Sequence, residues 1–175
     1  MNLSSGLLSL AFSLTTTPVD ADELPITTQA RLRRAVSTAY YALFHALCDA
    51  AVATMPAEPA GLQALVRRTM DHGSMKAVCE QWSTRKDRIN DQWRSLMVEE
   101  VIPESITTVA QAFVQLQLQR HLADYALGPA LVYDKDRAMA HVTQASVAVI
   151  TMHDMAFQPG GSVFLAMLLT GGKAR

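Results

Sequence analysis

The sequence predicts an all-α protein: three long antiparallel helices, an N-terminal helix, and short helices closing the ends. Two observations carry this. Apolar residues return every three or four positions through most of the chain, the period of helices that show one face to a core. No stretch alternates apolar and polar residues as a half-buried strand would, and no internal repeat is present. The length of 175 residues fits one domain, residues 1–175, with room for a real core.

Leu3 to Leu14 (LSSGLLSLAFSL) reads as a first helix packed on the core. It is too short to span a bilayer, which needs about 20 residues, and it lacks the positive start of a secretory signal. Thr15 to Pro25, with two prolines, three threonines and three acids, reads as a surface loop. A second helix begins around Ile26 to Gln29, with Thr27 or Thr28 as N-cap, and stops at Pro56. Its stripe is Leu32, Val36, Ala39, Leu43, Leu47 and Ala50. Alanines and a serine between these large residues allow another helix to approach closely. Ala57 to Gly61 is a turn, followed by a short basic helix from Leu62 to about Asp71. His72-Gly73 breaks that run, and Ser74 caps a new helix through Met75, Val78 and Trp82. From Ser83 to Pro103 the pattern weakens into a long connection with one helical turn around Gln92 to Glu99.

A third long helix runs from Glu104 to Gly128-Pro129 on the stripe Ile106, Val109, Phe113 and Leu116. Asp134 caps the next, whose stripe is Met139, Val142, Ser146, Val149, His153 and Ala156, ending at Pro159-Gly160-Gly161. Ser162 to Thr170 forms a last, largely apolar helix.

Composition excludes several classes. A formal charge of -1 argues against a protein that coats nucleic acid non-specifically. Cys48 and Cys79 lie in apolar helical runs without Cys-x-x-Cys or paired-His spacing. Neither a disulfide framework nor a metal site follows, and a reducing, cytoplasmic setting fits best. No Gly-rich phosphate loop, nucleophile elbow, His-Glu-x-x-His or calcium loop is present, so no cofactor is implied.

Arg120 is the candidate centre. The stripe Ile106, Val109, Phe113, Leu116 continues to Arg120, Ala123 and Leu127, placing a guanidinium where an apolar residue is due. Burying it costs several kcal/mol unless it is paired. Asp124, one turn on, can satisfy it as a structural ion pair. Alternatively the slot opens into a cleft that uses the charge, with His121 and Tyr125 beside it. Arginine grips a phosphate bidentately and histidine moves protons near neutral pH, so the set suits a phosphodiester or a nucleotide. His72, with Lys76 one turn into the following helix, is a second candidate. Tyr40, Tyr41 and His45 on the long second helix are a third, and packing alone also accounts for them. Arg31, Arg33 and Arg34 read as a solvated first turn or a local basic patch.

RRAVSTAYYALFHAL on one helix and LQLQRHLADYAL on a later one resemble bacterial HEPN-domain proteins, a family of nucleotide-binding helical domains. The intervening DHGSMK fits a small stand-alone branch of that family. The resemblance covers about Leu3 to Leu169 and implies an up-and-down bundle of four to five helices that dimerises. In the family's ribonucleases an Arg with a His four to six residues downstream lies at the dimer seam and cleaves RNA without metal. Arg120 matches that Arg and His121 its polar follower. The downstream His is absent: Tyr125 and Ala126 stand at that reach, and the next histidine is His141. The resemblance therefore implies a dimeric protein binding RNA or a nucleotide, the toxin-like part of a defence or toxin–antitoxin system with a cognate antitoxin. The alternatives are a metal-independent ribonuclease working through Arg120, His121 and Tyr125, or a non-catalytic protein–protein adaptor. Binding residues would be Arg120, Asp124, His72, Lys76, Tyr41 and His45.

Overall fold

A computed structural model describes residues 2–18, 24–84, 89–97, 102–126 and 132–173, the side chain of Asp154 excepted. Among them the chain is helical and contains no strand. Eight α-helices follow in order: α1 Leu3–Thr16, α2 Pro25–Ala53, α3 Leu62–Arg67, α4 His72–Trp82, α5 Asp91–Arg94, α6 Glu104–Tyr125, α7 Lys135–Thr151 and α8 Gly161–Thr170. A 3₁₀ segment, Met152–Phe157, joins the last two. The expected turn at Gly128-Pro129 falls outside the described residues, as do parts of the 83–103 connection.

The 29-residue α2 is the spine, packed against α1, α6, α7 and α8. Ala35, Ala39, Ala42 and Ala51 are fully buried along it, so neighbouring backbones come close with no side chain between. Leu43 and Leu47 fill the larger gaps and meet Ile106, Val109, Phe113 and Leu116 of α6, all fully buried as the periodicity requires. At one end Trp82 packs edge-on against Phe164, ring centroids 5.3 Å apart, and its indole N–H donates to Met167 Sδ. A second, small cluster joins Leu32, Val36, Ala123, Tyr133 and Ala138. It is tied by Gln29, whose carboxamide exchanges two hydrogen bonds with the Tyr133 backbone at 2.7 and 3.0 Å.

Four helix details differ from the sequence expectation. α2 starts at Pro25, whose fixed φ suits the first helical position; Thr27 and Thr28 sit inside, their amides bonded back to the Leu24 carbonyl. The cap of α4 is Asp71 rather than Ser74: its Oδ1 accepts from the Gly73 and Ser74 amides, both at 2.9 Å, so His72 and Gly73 are the first helical residues. α7, capped by Asp134 as expected, turns Ala138, Val142, Ala145 and Ala148 inward. That leaves Met139, Ser146 and Val149 half-buried and His153 and Ala156 exposed, because the close approach of α2 admits alanines and not the bulkier stripe. α1 forms as expected, but Ser4, Ala11 and Thr15 face inward while Leu3 and Leu10 are about half exposed.

Two of the N-terminal arginines are structural. Arg31 donates to the Leu14 and Thr17 carbonyls at 2.7 and 3.1 Å, and Arg33 to the Ala126 carbonyl at 2.9 Å. Each guanidinium satisfies carbonyls that a helix end leaves unpaired.

Candidate functional site

Arg120 lies on α6 one turn beyond Leu116, where the buried stripe leaves the core. Its side chain is 21% exposed and that of Asp124 is 25% exposed. The Arg120 Nε stands 2.8 Å from Asp124 Oδ2. The N–H is not aimed along that line, so the contact is an ion pair rather than a directed hydrogen bond. Asp124 Oδ2 also accepts from Ser37 Oγ at 3.3 Å. Arg120 Nη2 donates to Tyr41 Oη at 2.7 Å, and the guanidinium sits 5.4 Å from the Tyr41 ring centroid and 5.6 Å from that of Tyr125, within cation–π range. Burial works against the charge, but the Tyr41 hydrogen bond and the neighbouring groups outweigh it and raise the pKa. The cation is permanent.

His72, at the start of α4, is held beside this cluster. Gln117, one turn before Arg120, donates to the His72 carbonyl at 3.1 Å, fixing the α4 terminus on α6. The His72 ring packs on Phe44, centroids 4.1 Å apart, and lies 5.8 Å from the Tyr41 ring. Its Nδ1 stands 2.7 Å from the hydroxyl of Tyr40, a residue only 1% exposed. Burial raises the Tyr40 pKa, so the phenol keeps its proton. His72 is the hydroxyl's only partner among the described residues, so the phenol donates and Nδ1 accepts. The imidazole is then neutral with its proton on Nε2. Burial, then the charge of Arg120, lowers the His72 pKa below 6.5, against the pull of Asp71.

The remaining candidates divide between two grooves on either side of Tyr41 and Arg120. Lys76, Gln117, Arg120 and His121 line one, between α4 and α6, of about 540 Å³. There Lys76 pairs with Glu80 at 3.0 Å, both side chains nearly half exposed. His121 is exposed, its ring 5.1 Å from that of Tyr125. Tyr41 and His45 line the other groove, against α1. His45 belongs to a separate chain of contacts: Arg67 Nη2 donates to its Nδ1 at 3.3 Å, and Arg67 Nε lies 2.8 Å from Asp49.

The structure therefore joins Arg120 with Tyr41, Asp124 and Tyr125, sets His72 against Tyr41, and places Lys76 and His121 across the α4–α6 groove. Two residues that the sequence did not single out matter, Gln117, which anchors His72, and Arg67, which occupies His45, while Tyr40, one of the candidates, fixes the His72 tautomer. Tyr40 was visible within the YYALFH block, yet its pairing arises only through packing. Chemically the groove offers a fixed cation and a half-exposed ammonium paired with Glu80, with the neutral His72 imidazole nearby against Tyr41, a set that can receive an oxyanion. Among the described residues no group of three His, Cys, Asp or Glu is arranged to hold a metal. No helix among the described residues is long and apolar enough to cross a membrane. No family model, curated protein or solved structure matches the chain.

Proposed function

We propose that this chain is an HEPN-like, homodimeric, cytoplasmic protein that binds RNA or a nucleotide through the α4–α6 groove. In this reading it acts as the toxin-like part of a defence or toxin–antitoxin pair. The observation that carries it is the state of Arg120. One nitrogen is engaged by Asp124 and one by Tyr41, while Nη1 has no partner among the described residues in a side chain that lines the groove. A guanidinium held in place with donors to spare is prepared for a phosphate. Lys76 stands across from it in an ion pair exposed enough to be worth at most about 1 kcal/mol, so its ammonium is readily exchanged to a ligand. The groove volume is that of an ordinary small-ligand site. Fluorescence anisotropy with labelled single-stranded RNA and with a labelled nucleotide tests this. Wild type should bind at least one of them, and Arg120→Ala should weaken binding at least tenfold. If neither probe binds at tens of micromolar protein, the adaptor reading takes its place.

One observation favours cleavage as a second reading: a neutral imidazole, His72, held against the tyrosine that holds Arg120. Metal-independent cleavage would use Arg120 to stabilise negative charge and a histidine, His72 or His121, to move a proton. RNA incubated with wild type in EDTA should then be cut, and His72→Ala or His121→Ala should slow it at least 100-fold. Equal background cleavage by all three proteins removes this reading and leaves the binding one intact.

A further inference from the structure

α1 packs Leu8, Phe12 and Leu14 against the core but leaves a second row of leucines toward solvent. Its buried positions are the small residues Ser4, Ala11 and Thr15, while Leu3 and Leu10 are 52% and 49% exposed. Together with Leu7 and Leu14 they form one wall of a groove of about 400 Å³ against α2. The leucines step by four, three and four, the spacing of a helix–helix seam. The opposite wall repeats that spacing: Arg34, Thr38, Tyr41 and His45. Arg31 donates to the carbonyl of Leu14, so the two helices run antiparallel. Arg34 therefore flanks the Leu14 end and His45 the Leu3 end, roughly 16 Å apart at the helical rise.

We infer that this groove docks an acidic amphipathic helix of a partner protein. Two walls in matched register leave a place for a third helix with apolar residues at the same spacing. The charges choose its character. α1 carries no charged residue at all, and among the described residues no carboxylate lines the groove. Arg34 is an exposed cation at one end. At the other, Arg67 can only donate, so the His45 Nδ1 accepts and its Nε2 carries a proton to offer. Asp49, one turn on from His45, is already held by Arg67. The complementary helix is about three turns of leucine-like residues with a carboxylate near each end. A second copy's α1 would supply the apolar stripe and neither carboxylate. Because Tyr41 lines this groove and also accepts from Arg120, a docked helix touches one wall of the Arg120 cluster.

The test uses two labelled helical peptides of about 18 residues, long enough for the groove at 1.5 Å per residue. Both carry leucines at four–three spacing, one with flanking glutamates and one with flanking lysines. Wild type should bind the acidic peptide at least tenfold more tightly than the basic one. The exposed-leucine double variant Leu3→Gln/Leu10→Gln, shown to be folded by circular dichroism, should lose that binding, and Arg34→Glu should erase or reverse the preference. Binding of neither peptide, or of both equally, overturns the inference. So does a dimer in light scattering that the leucine double variant dissociates, since a second copy would then cover the groove. The leucine double variant should leave RNA binding unchanged, since Leu3 and Leu10 lie outside the α4–α6 groove, so this surface and the RNA reading fail or stand separately.

Discussion

The Tyr40 hydroxyl meets His72 Nδ1 at 2.7 Å, and the pair sets the protonation state of a histidine packed beside the Arg120 cluster. The folded protein holds His72 below its ordinary value of 6.5, through burial first and Arg120 second. A group whose folded pKa is depressed binds fewer protons folded than unfolded. Its stability is fully present above pH 6.5 and is lost as the pH falls through the folded value. His45 and His141 are shifted the same way, again with burial as the leading cause. Thermal melts should therefore show the melting temperature falling from about pH 7.5 to about pH 5. In His72→Gln the fall should be shallower without vanishing, since two histidines still contribute. Superimposable pH profiles for the variant and wild type would mean that His72 is not the group described.

Asp124 stabilises the fold and competes with any anion for Arg120. Replacing it by Asn leaves a guanidinium, 21% exposed, without its counter-charge, which should cost about 1–2 kcal/mol, between the values for exposed and buried pairs. The same change removes the counter-charge from Arg120, a side chain that lines the groove. Asp124→Asn should therefore melt earlier yet bind labelled RNA several-fold more tightly. A variant that loses stability and affinity together would make the ion pair a purely structural bond.

Gly161 is fixed by a close approach of backbone. A Cβ built there would stand 1.7 Å from the Met155 carbonyl oxygen, far inside contact distance, and backbone cannot swing away as a flexible side chain can. Gly161→Ala must displace the start of α8, which carries Phe164 onto Trp82. A loss of about 2–3 kcal/mol, the upper range for overpacking, is expected in urea unfolding. A neutral result would mean that the 3₁₀ segment before α8 yields easily.

The periodic core was legible; the direction of uncharged or alanine-rich faces was not. Ile106, Val109, Phe113 and Leu116 are fully buried, and Arg120 is the next slot on their stripe, so a count along the chain located the site. In α1 every residue is uncharged. Periodicity then marks two faces without ranking them: Leu8 and Phe12 pack on the core, while Leu3, Leu7, Leu10 and Leu14 line an open groove. In α7 the large residues suggested one stripe, while the alanines one position away are the ones that fit against α2. The Asp71 cap was readable, an acid two and three residues before amides that need an acceptor. The pairings of Tyr41 with Arg120 and Tyr40 with His72 span 79 and 32 residues of chain, and no local pattern encodes them.

That first pairing allows the sharpest measurement. Tyr41→Phe keeps the ring, and with it the cation–π contact at 5.4 Å, but removes the oxygen that accepts from Arg120 Nη2. A hydrogen bond from a charged donor is worth about 1.5–3 kcal/mol when buried, less here because the site is partly open to water. A double-mutant cycle of Tyr41→Phe with Arg120→Ala should return a coupling energy of about 1 kcal/mol in denaturant unfolding. If the hydroxyl serves to aim the guanidinium, Tyr41→Phe should also weaken RNA binding several-fold while Arg120→Ala/Tyr41→Phe binds no worse than Arg120→Ala alone. Additive losses in the double variant would place Tyr41 in direct contact with the ligand and free Arg120 of any need for it.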